Sequence, residues 1–285
     1  MSLPSGPWPT LLDFLLQRFP AITAQTWLQR MARGEVRYEA GQTVTPKAAC
    51  QRPCPTNTRL YYYREVPNEP ALAFDEVVLY QDEHLLVVDK PHFLPVMPSG
   101  NYLQQTVLVR LKRKLGLTDL VPIHRIDRDT AGLVLFSKQP ASRAAYAALF
   151  SQHRVRKTYH AIAPWRAEVP LPPTRQSRIK PAGHFMLQHE VPGAPNAMTH
   201  LAVLQVCGSL ARYQLNPVTG QRHQLRVHML ALGLPILNDA MYPTLTPQGH
   251  SDPDRPLQLL ARELEFTDPP SGERRHFVSQ RKLLF

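Results

Sequence analysis

The densest chemistry in the chain lies in Ile123-His124-Arg125-Ile126-Asp127-Arg128-Asp129-Thr130-Ala131-Gly132. Two carboxylates and three basic groups stand together just ahead of an apolar run from Gly132 to Phe136. Charged groups at the end of a buried strand are held by a rigid scaffold, and chemistry is usually placed there. The residues alone admit several uses. A salt-bridged turn would employ the same charges for structure only. Asp127 and Asp129 could be the acid and base of a glycosidase. The arginines around them, however, would lower both pKa values and leave no general acid. His223 and His228 are further ligand-type residues. Their spacing of five puts them on different parts of a helix, unlike the i, i+4 pair of a zinc protease, so a structural or RNA-facing role fits them better.

The elements that must carry these groups can be read from periodicity and punctuation. Residues 10–19 read as a helix capped by Thr10 and stopped by Pro20, and a second helix starts at Thr23 and ends before Gly34. Short strand-like pieces follow at Glu35 to Tyr38 and Arg59 to Tyr63. Val66 to Pro70 reads as a linker, dividing a small N-terminal domain (1–70) from a main domain (71–285). In the main domain, Val77 to Tyr80 and Leu85 to Val88 form a hairpin around Asp82-Glu83. Helices are expected at Gln104 to Leu115, Ala141 to Phe150 and His223 to Leu232. Strands are expected at Gly132 to Phe136, Thr158 to Ala163, Thr199 to Val206, Leu210 to Leu215, Leu257 to Phe266 and His276 to Val278. Pro164 to Gly193 is rich in proline and charge and reads as surface loops with short strands. Strands and helices without strict alternation predict an α+β fold.

Composition narrows the function classes. The 285 residues carry a net charge of +11, which attracts polyanions, and nucleic acid is the commonest of these. Basic residues recur in clusters, among them Arg175, Arg178 and Lys180. Cys50 and Cys54 lack the second Cys or His pair that a zinc ribbon needs, and three cysteines suit a reducing cytoplasm. The N-terminus has no signal-peptide pattern and no apolar run reaches membrane-spanning length, so a soluble cytoplasmic protein is expected. The 13 glycines form neither G-x-G-x-x-G nor G-x-x-x-x-G-K.

Four ordered segments resemble the RluA-type RNA pseudouridine synthases. His124 to Leu135 is similar to that family's HRLDRxTSGLLL motif, with Ala131 in place of the usual Ser. Arg156 to Ala161 resembles its K-x-Y-x-A strand. Thr219 to His228 resembles its TGRTHQIRVH segment, with Gln221 at the usual Arg and Arg222 at the usual Thr or Ser. Val88-Asp89-Lys90-Pro91 resembles its opening strand and turn, and Pro235 to Asp239 has Asn238 where Gly is common. The likeness runs from about Val77 to the C-terminus. It implies a pseudouridine synthase fold with a mixed, mainly antiparallel central sheet and flanking helices. It implies Asp127 as the catalytic carboxylate, Arg226 as its ionic partner and Tyr159 against the target base. It places His124, Arg125, Arg128, Arg156, Lys157, Arg222 and His223 toward RNA. The reaction detaches uracil from ribose and re-attaches it through carbon, without net redox change, so no cofactor or metal is called for. The implied substrate is ribosomal RNA in preference to transfer RNA, and the chain is expected to act as a monomer. The helix–helix–strand order of residues 1–70 resembles an S4 RNA-binding domain, although few basic residues lie on its helices.

Overall fold

The computed structural model describes the chain except for residues 21, 40, 64, 65, 67, 68, 169, 185 and 247–251. It divides into two compact units, Met1–Pro67 and Asn68–Phe285. Part of the expected linker, residues 67 and 68, lies outside the described residues. Glu69 belongs to the larger unit, where its carboxylate accepts the amides of Leu103, Gln104 and Gln105.

The smaller unit holds α1 (Leu11–Arg18), α2 (Ala24–Ala32), β1 (Val36–Tyr38), α3 (Pro46–Gln51) and β2 (Leu60–Tyr62). Thr10 and Asp13 cap the first helix reciprocally, and Thr23 caps the second. The third helix was not expected from the sequence. It is too short to show periodicity, although Thr45 followed by Pro46 is the start signal it uses. Strands β1 and β2 pair antiparallel. Leu11, Phe14, Leu15, Trp27, Met31, Val36 and Leu60 close the core of this unit.

The larger unit is built on strands β3 (Val77–Gln81), β4 (Leu85–Lys90), β5 (Val121–Pro122), β6 (Ala131–Ser137), β7 (Arg156–Pro164), β8 (Thr174–Pro181), β9 (Gln188–Val191), β10 (Ala197–Cys207), β11 (Leu210–Pro217), β12 (Leu259–Thr267) and β13 (Arg274–Val278). They join in the order β3-β4-β6-β12-β7-β11-β10-β8-β9, with β13 on β12 and β5 on β6. Among the described pairs only β6 and β12 run parallel. Among the described residues, the α-helices α4 (Val107–Leu115), α5 (Arg143–Ser151) and α6 (Gln224–Ala231) pack on the sheet. The fold is therefore α+β with a mixed, mostly antiparallel sheet.

The continuous apolar runs of β4 and β6 reflect burial on both faces. Leu86, Val88, Val134 and Phe136 point toward Val107 and Leu111 of α4. Their neighbours Leu85, Val87, Leu133 and Leu135 point the other way, toward Tyr146 and Leu149 of α5. Each such side chain contributes about 1.5–3 kcal/mol by leaving water. A third cluster joins Ala161, Tyr213 and Leu215 to Leu225 and Met229 of α6.

Two expectations need correction. Helix α4 begins at Val107, not Gln104, because Thr106 caps it and the amides just before are taken by Glu69. The segment Pro164 to Gly193 contributes the eight-residue β8, which extends the main sheet through β10. Surface loops with short strands were expected, and what differs is that the longest strand is part of the main sheet. Arg175 of β8 pairs with Glu190 of β9 at 2.5 Å, so the charges are used within the sheet.

Candidate active site

The sheet order brings distant segments to one place. Gly132 of β6 lies beside Ala261 of β12, and Ala261 lies beside Tyr159 of β7. Tyr159 in turn faces Leu215 of β11. The loop before β6 carries Asp127, and the loop after β11 leads into α6, which carries Arg226 in its first turn. Gly132 has φ +107°, and a Cβ there would run into the carbonyl of Ala261. This close approach is what lets β6 and β12 meet.

These segments border a cavity of about 490 Å³ lined by Asp127, Tyr159, Lys157, His223, Arg226 and others. Arg226 Nη1 donates to Asp127 Oδ2 at 3.3 Å. The other side of the guanidinium is held by Asp239, with Nε at 2.8 Å and Nη2 at 2.5 Å. Arg226 and Asp239 are almost fully buried, whereas the Asp127 side chain keeps 25% exposure toward the cavity. Arg226 thus sits between two carboxylates, one sealed and one reachable.

His223 stands at 3.8 Å from Asp127 Oδ1 through Nε2. Its Nδ1 lies 2.9 Å from the Tyr242 hydroxyl, whose oxygen already accepts the Gln188 amide at 2.8 Å. One proton joins the Tyr242 hydroxyl to Nδ1 and fixes the plane of the imidazole, whose Nε2 edge faces Asp127. Tyr242 also lies under the Arg226 guanidinium, at 5.3 Å.

Burial works against the charge on Asp127, but His223 and Arg226 outweigh it and hold the carboxyl below its ordinary value. Burial also pushes the His223 imidazole down, against the neighbouring Asp127 charge, which favours its protonated form. Arg226 stays protonated because the hydrogen bond and charge of Asp239 overcome its burial. Burial, helped by the Asp127 charge, pushes the Tyr159 phenol up, so it is neutral at any ordinary pH. Burial pushes Lys157 down to about 8, and its Nζ donates to the Thr219 carbonyl at 3.2 Å.

The remaining residues singled out in the sequence separate into two groups. Arg125 and Arg222 are exposed at the cavity, with Gln221 beside them. Arg128 is bound through Nε to Asp129 at 2.9 Å and faces the Tyr102 ring at 5.9 Å. Asp129 is buried in that pair. His124 lines the cavity but is stacked on Phe150 at 4.5 Å, and its Nε2 accepts the Leu135 amide. Burial pushes it down to about 3. Arg156 points away from the cavity, 74% exposed and loosely paired with Glu265. His228 is buried and spans Thr199 and Ser177. Among the described residues no group of three or more His, Cys, Asp or Glu side chains is placed to hold a metal ion.

Several positioning residues were not picked out from the sequence. Asp239 ends a segment that had only the oddity of Asn238. That Asn sits at φ +61°, a conformation Gly adopts freely and Asn tolerates, which explains the exchange. Gln224 organises the loop before α6. Its Oε1 accepts the Thr219 hydroxyl and the Gln221 amide, and its Nε2 donates to Met198 O and Thr199 Oγ1. Lys90 is fully buried and donates to the carbonyls of Pro91 and Arg128, which ties the Asp127–Asp129 turn to β4.

Comparison with known proteins matches this architecture. The family described as RNA pseudouridylate synthase matches residues 84–231. The dual-specificity RNA pseudouridine synthase RluA of Haemophilus influenzae is 35% identical over 73% of this chain and 92% of its own length. The chain belongs to the RluA-type RNA pseudouridine synthases. The synthase is also 29% identical to an uncharacterized RNA pseudouridine synthase of Synechocystis, over 81% of this chain and 79% of that protein. Among solved structures, the human RNA pseudouridylate synthase domain containing 4 superposes with a TM-score of 0.56 at 29% identity. That match covers 72% of this chain and 88% of the human one. The synthase is therefore an RNA-modifying isomerase. No helix among its described residues is long and apolar enough to cross a membrane.

Proposed function

We propose that the enzyme isomerises specific uridines in structured RNA, ribosomal in preference to transfer RNA, with Asp127 as the catalytic carboxylate and no cofactor. The observation that carries this reading is the Arg226 guanidinium, 3.3 Å from a carboxylate that still faces a nucleotide-sized cavity. The C1′–N1 bond breaks, N1 gains a proton, C1′ joins C5, and C5 loses its proton. Atoms and electrons balance without an external oxidant. An ionised carboxylate at the sugar edge can attack C1′, add to the ring or remove a ribose proton, and each route starts from the charged oxygen. Arg226 keeps that oxygen charged in a partly desolvated site.

Tyr159, held neutral, is better suited to lie against the uracil ring than to take the C5 proton in its resting state. His223 packs beside Asp127 and limits its orientation. Arg125 and Arg222 at the cavity mouth hold RNA phosphates, with Lys157 deeper in. Extruding the target base costs about a few kcal/mol in a duplex and less in a loop, and these cations offset it. His124 supports RNA contact indirectly, by fixing the strand behind the motif. Arg128 and the exposed Arg156 extend the basic surface. The unit Met1–Pro67, with its S4-like order of elements, takes part in choosing the RNA. Asp127, Tyr159, His223 and Arg226 all belong to the larger unit of one chain, so a monomer suffices for the reaction, which is assigned to the cytoplasm. The test is Asp127→Asn. Carbodiimide mapping of total RNA with and without the enzyme should reveal its uridines, and the variant should lose their conversion while still binding RNA. Full conversion by Asp127→Asn would reject the assignment.

A further inference from the structure

A second, smaller cavity of about 230 Å³ meets the first along a shared border. Asp127, Arg125, Arg222, His223 and Arg226 line both. Beyond that border the second cavity has a different character. Met97, Met186 and Met241 come from three separate loops, and Arg128 closes one side. Met97 is 39% exposed, unusual for a large apolar side chain in a well-packed loop.

The loop is ordered rather than loose. The carbonyls of Pro95 and Val96 accept the first amides of α4, and Ser99 and Tyr102 exchange amide–carbonyl bonds at 3.0 and 3.1 Å. Tyr102 lies against Arg128, which Asp129 fixes from the other side. The exposed methionine is thus presented on a built support.

The substrate is a polymer, and this governs what the second cavity meets. A uridine with its C1′ at Asp127 has a phosphate on each side, and the second cavity, which shares Asp127 with the first, lies within reach of a neighbouring nucleotide. There it encounters apolar, polarizable side chains edged by guanidinium groups. Methionine adapts to flat or irregular apolar surfaces. Unpaired RNA bases are commonly held by stacking on aromatic rings or guanidinium planes, with the phosphate on Arg, and a polarizable thioether offers the base face a comparable apolar contact.

Resting on the function proposed above, we propose that this second cavity is a subsite for the nucleotide adjacent to the target uridine. Its base packs against Met97 and Met241, and its linking phosphate meets Arg125 and Arg222. The methionine lining makes the subsite tolerant of base identity but dependent on a base being present.

The test is a cycle between one side chain and one base. The probe is a synthetic stem–loop carrying a uridine found by mapping, together with two versions abasic at the position just before or just after it. With the full-length enzyme, one of the two abasic RNAs should lose about ten-fold in kcat/KM, equivalent to about 1.4 kcal/mol for the deleted base contact. Met97→Ala should lose a similar factor on the intact RNA and little more on that abasic one, because both changes delete the same contact. Met97→Glu, at the same exposed position, should weaken the intact RNA further by repelling its phosphate. Equal, unaffected rates on all three RNAs, or an abasic penalty unchanged in both variants, would overturn the subsite. Absence of pseudouridine from the wild-type reaction would instead reject the parent function, and the subsite with it.

Discussion

Replacing Asp239 by Asn tests whether the site depends on a carboxylate that never touches the substrate. Asp239 does not border either cavity, yet it takes two hydrogen bonds from Arg226 at 2.8 and 2.5 Å. Both side chains are at most 2% exposed. Removing one member of a buried ion pair costs about 3–5 kcal/mol. The amide retains one acceptor, so a value near 3 kcal/mol is expected. For a unit of this size that lowers Tm by about 6–12 °C. The amide nitrogen would also oppose an Arg226 N–H, and the guanidinium would swing toward Asp127. A displacement near 1 Å at a reacting group can cost about 100-fold, so kcat should fall about 10- to 100-fold. KM should stay near its wild-type value, because no RNA contact is removed. With Arg226 drawn closer, any acid limb due to Asp127 should move to lower pH. Tritium release from C5-labelled RNA measures kcat and KM, and calorimetry measures Tm. Wild-type kcat and Tm together in Asp239→Asn would show that Arg226 is held by other means and would refute this reasoning.

Other consequences follow from the same groups. Lys157, with its pKa near 8, loses its charge as pH rises through that value, so KM for RNA should rise between pH 7 and 9. Lys157→Met should show a raised KM without that dependence, and an unchanged pH profile would count against RNA contact. Lys90 is pushed by burial from 10.5 down to about 7, so between those values the folded chain binds fewer protons than the unfolded one. Its contribution to stability should therefore grow as pH rises across that window. Urea unfolding of Lys90→Met at pH 7 and 9 should show a smaller gain than wild type, and an equal gain would contradict the assignment. Gly132→Ala should destabilise by more than about 3 kcal/mol, as strain at positive φ adds to a collision with the Ala261 backbone. Unfolding midpoints close to wild type would show that β6 and β12 can separate at little cost.

Much of the site was legible because its chemistry is local in sequence. The crowding of Asp127, Arg125 and Arg128 before an apolar strand admits a salt-bridged turn as readily as a site, and the resemblance of this segment and of those around Tyr159 and Arg226 to family motifs is what singled them out. Asp239 was not legible. A single acidic residue near a turn has no periodicity, and its meaning comes only from the arginine folded against it. His124 and Arg156 illustrate the same limit. Both stand beside motif residues, but one is stacked on Phe150 and the other faces Glu265 on the outer surface.

Local propensity and alternation determined the main elements. Side-chain periods of 2 and 3.6 are written directly into the order of apolar residues, and caps such as Thr10, Thr23 and Thr106 close the helices with their nearest neighbours. The tertiary structure decided where the strand after Pro164 would pair, how β6 and β12 could lie side by side, and which of two carboxylates would keep Arg226. Those choices depend on long-range pairing and on burial, which take charged groups out of water only where a distant partner offsets the loss.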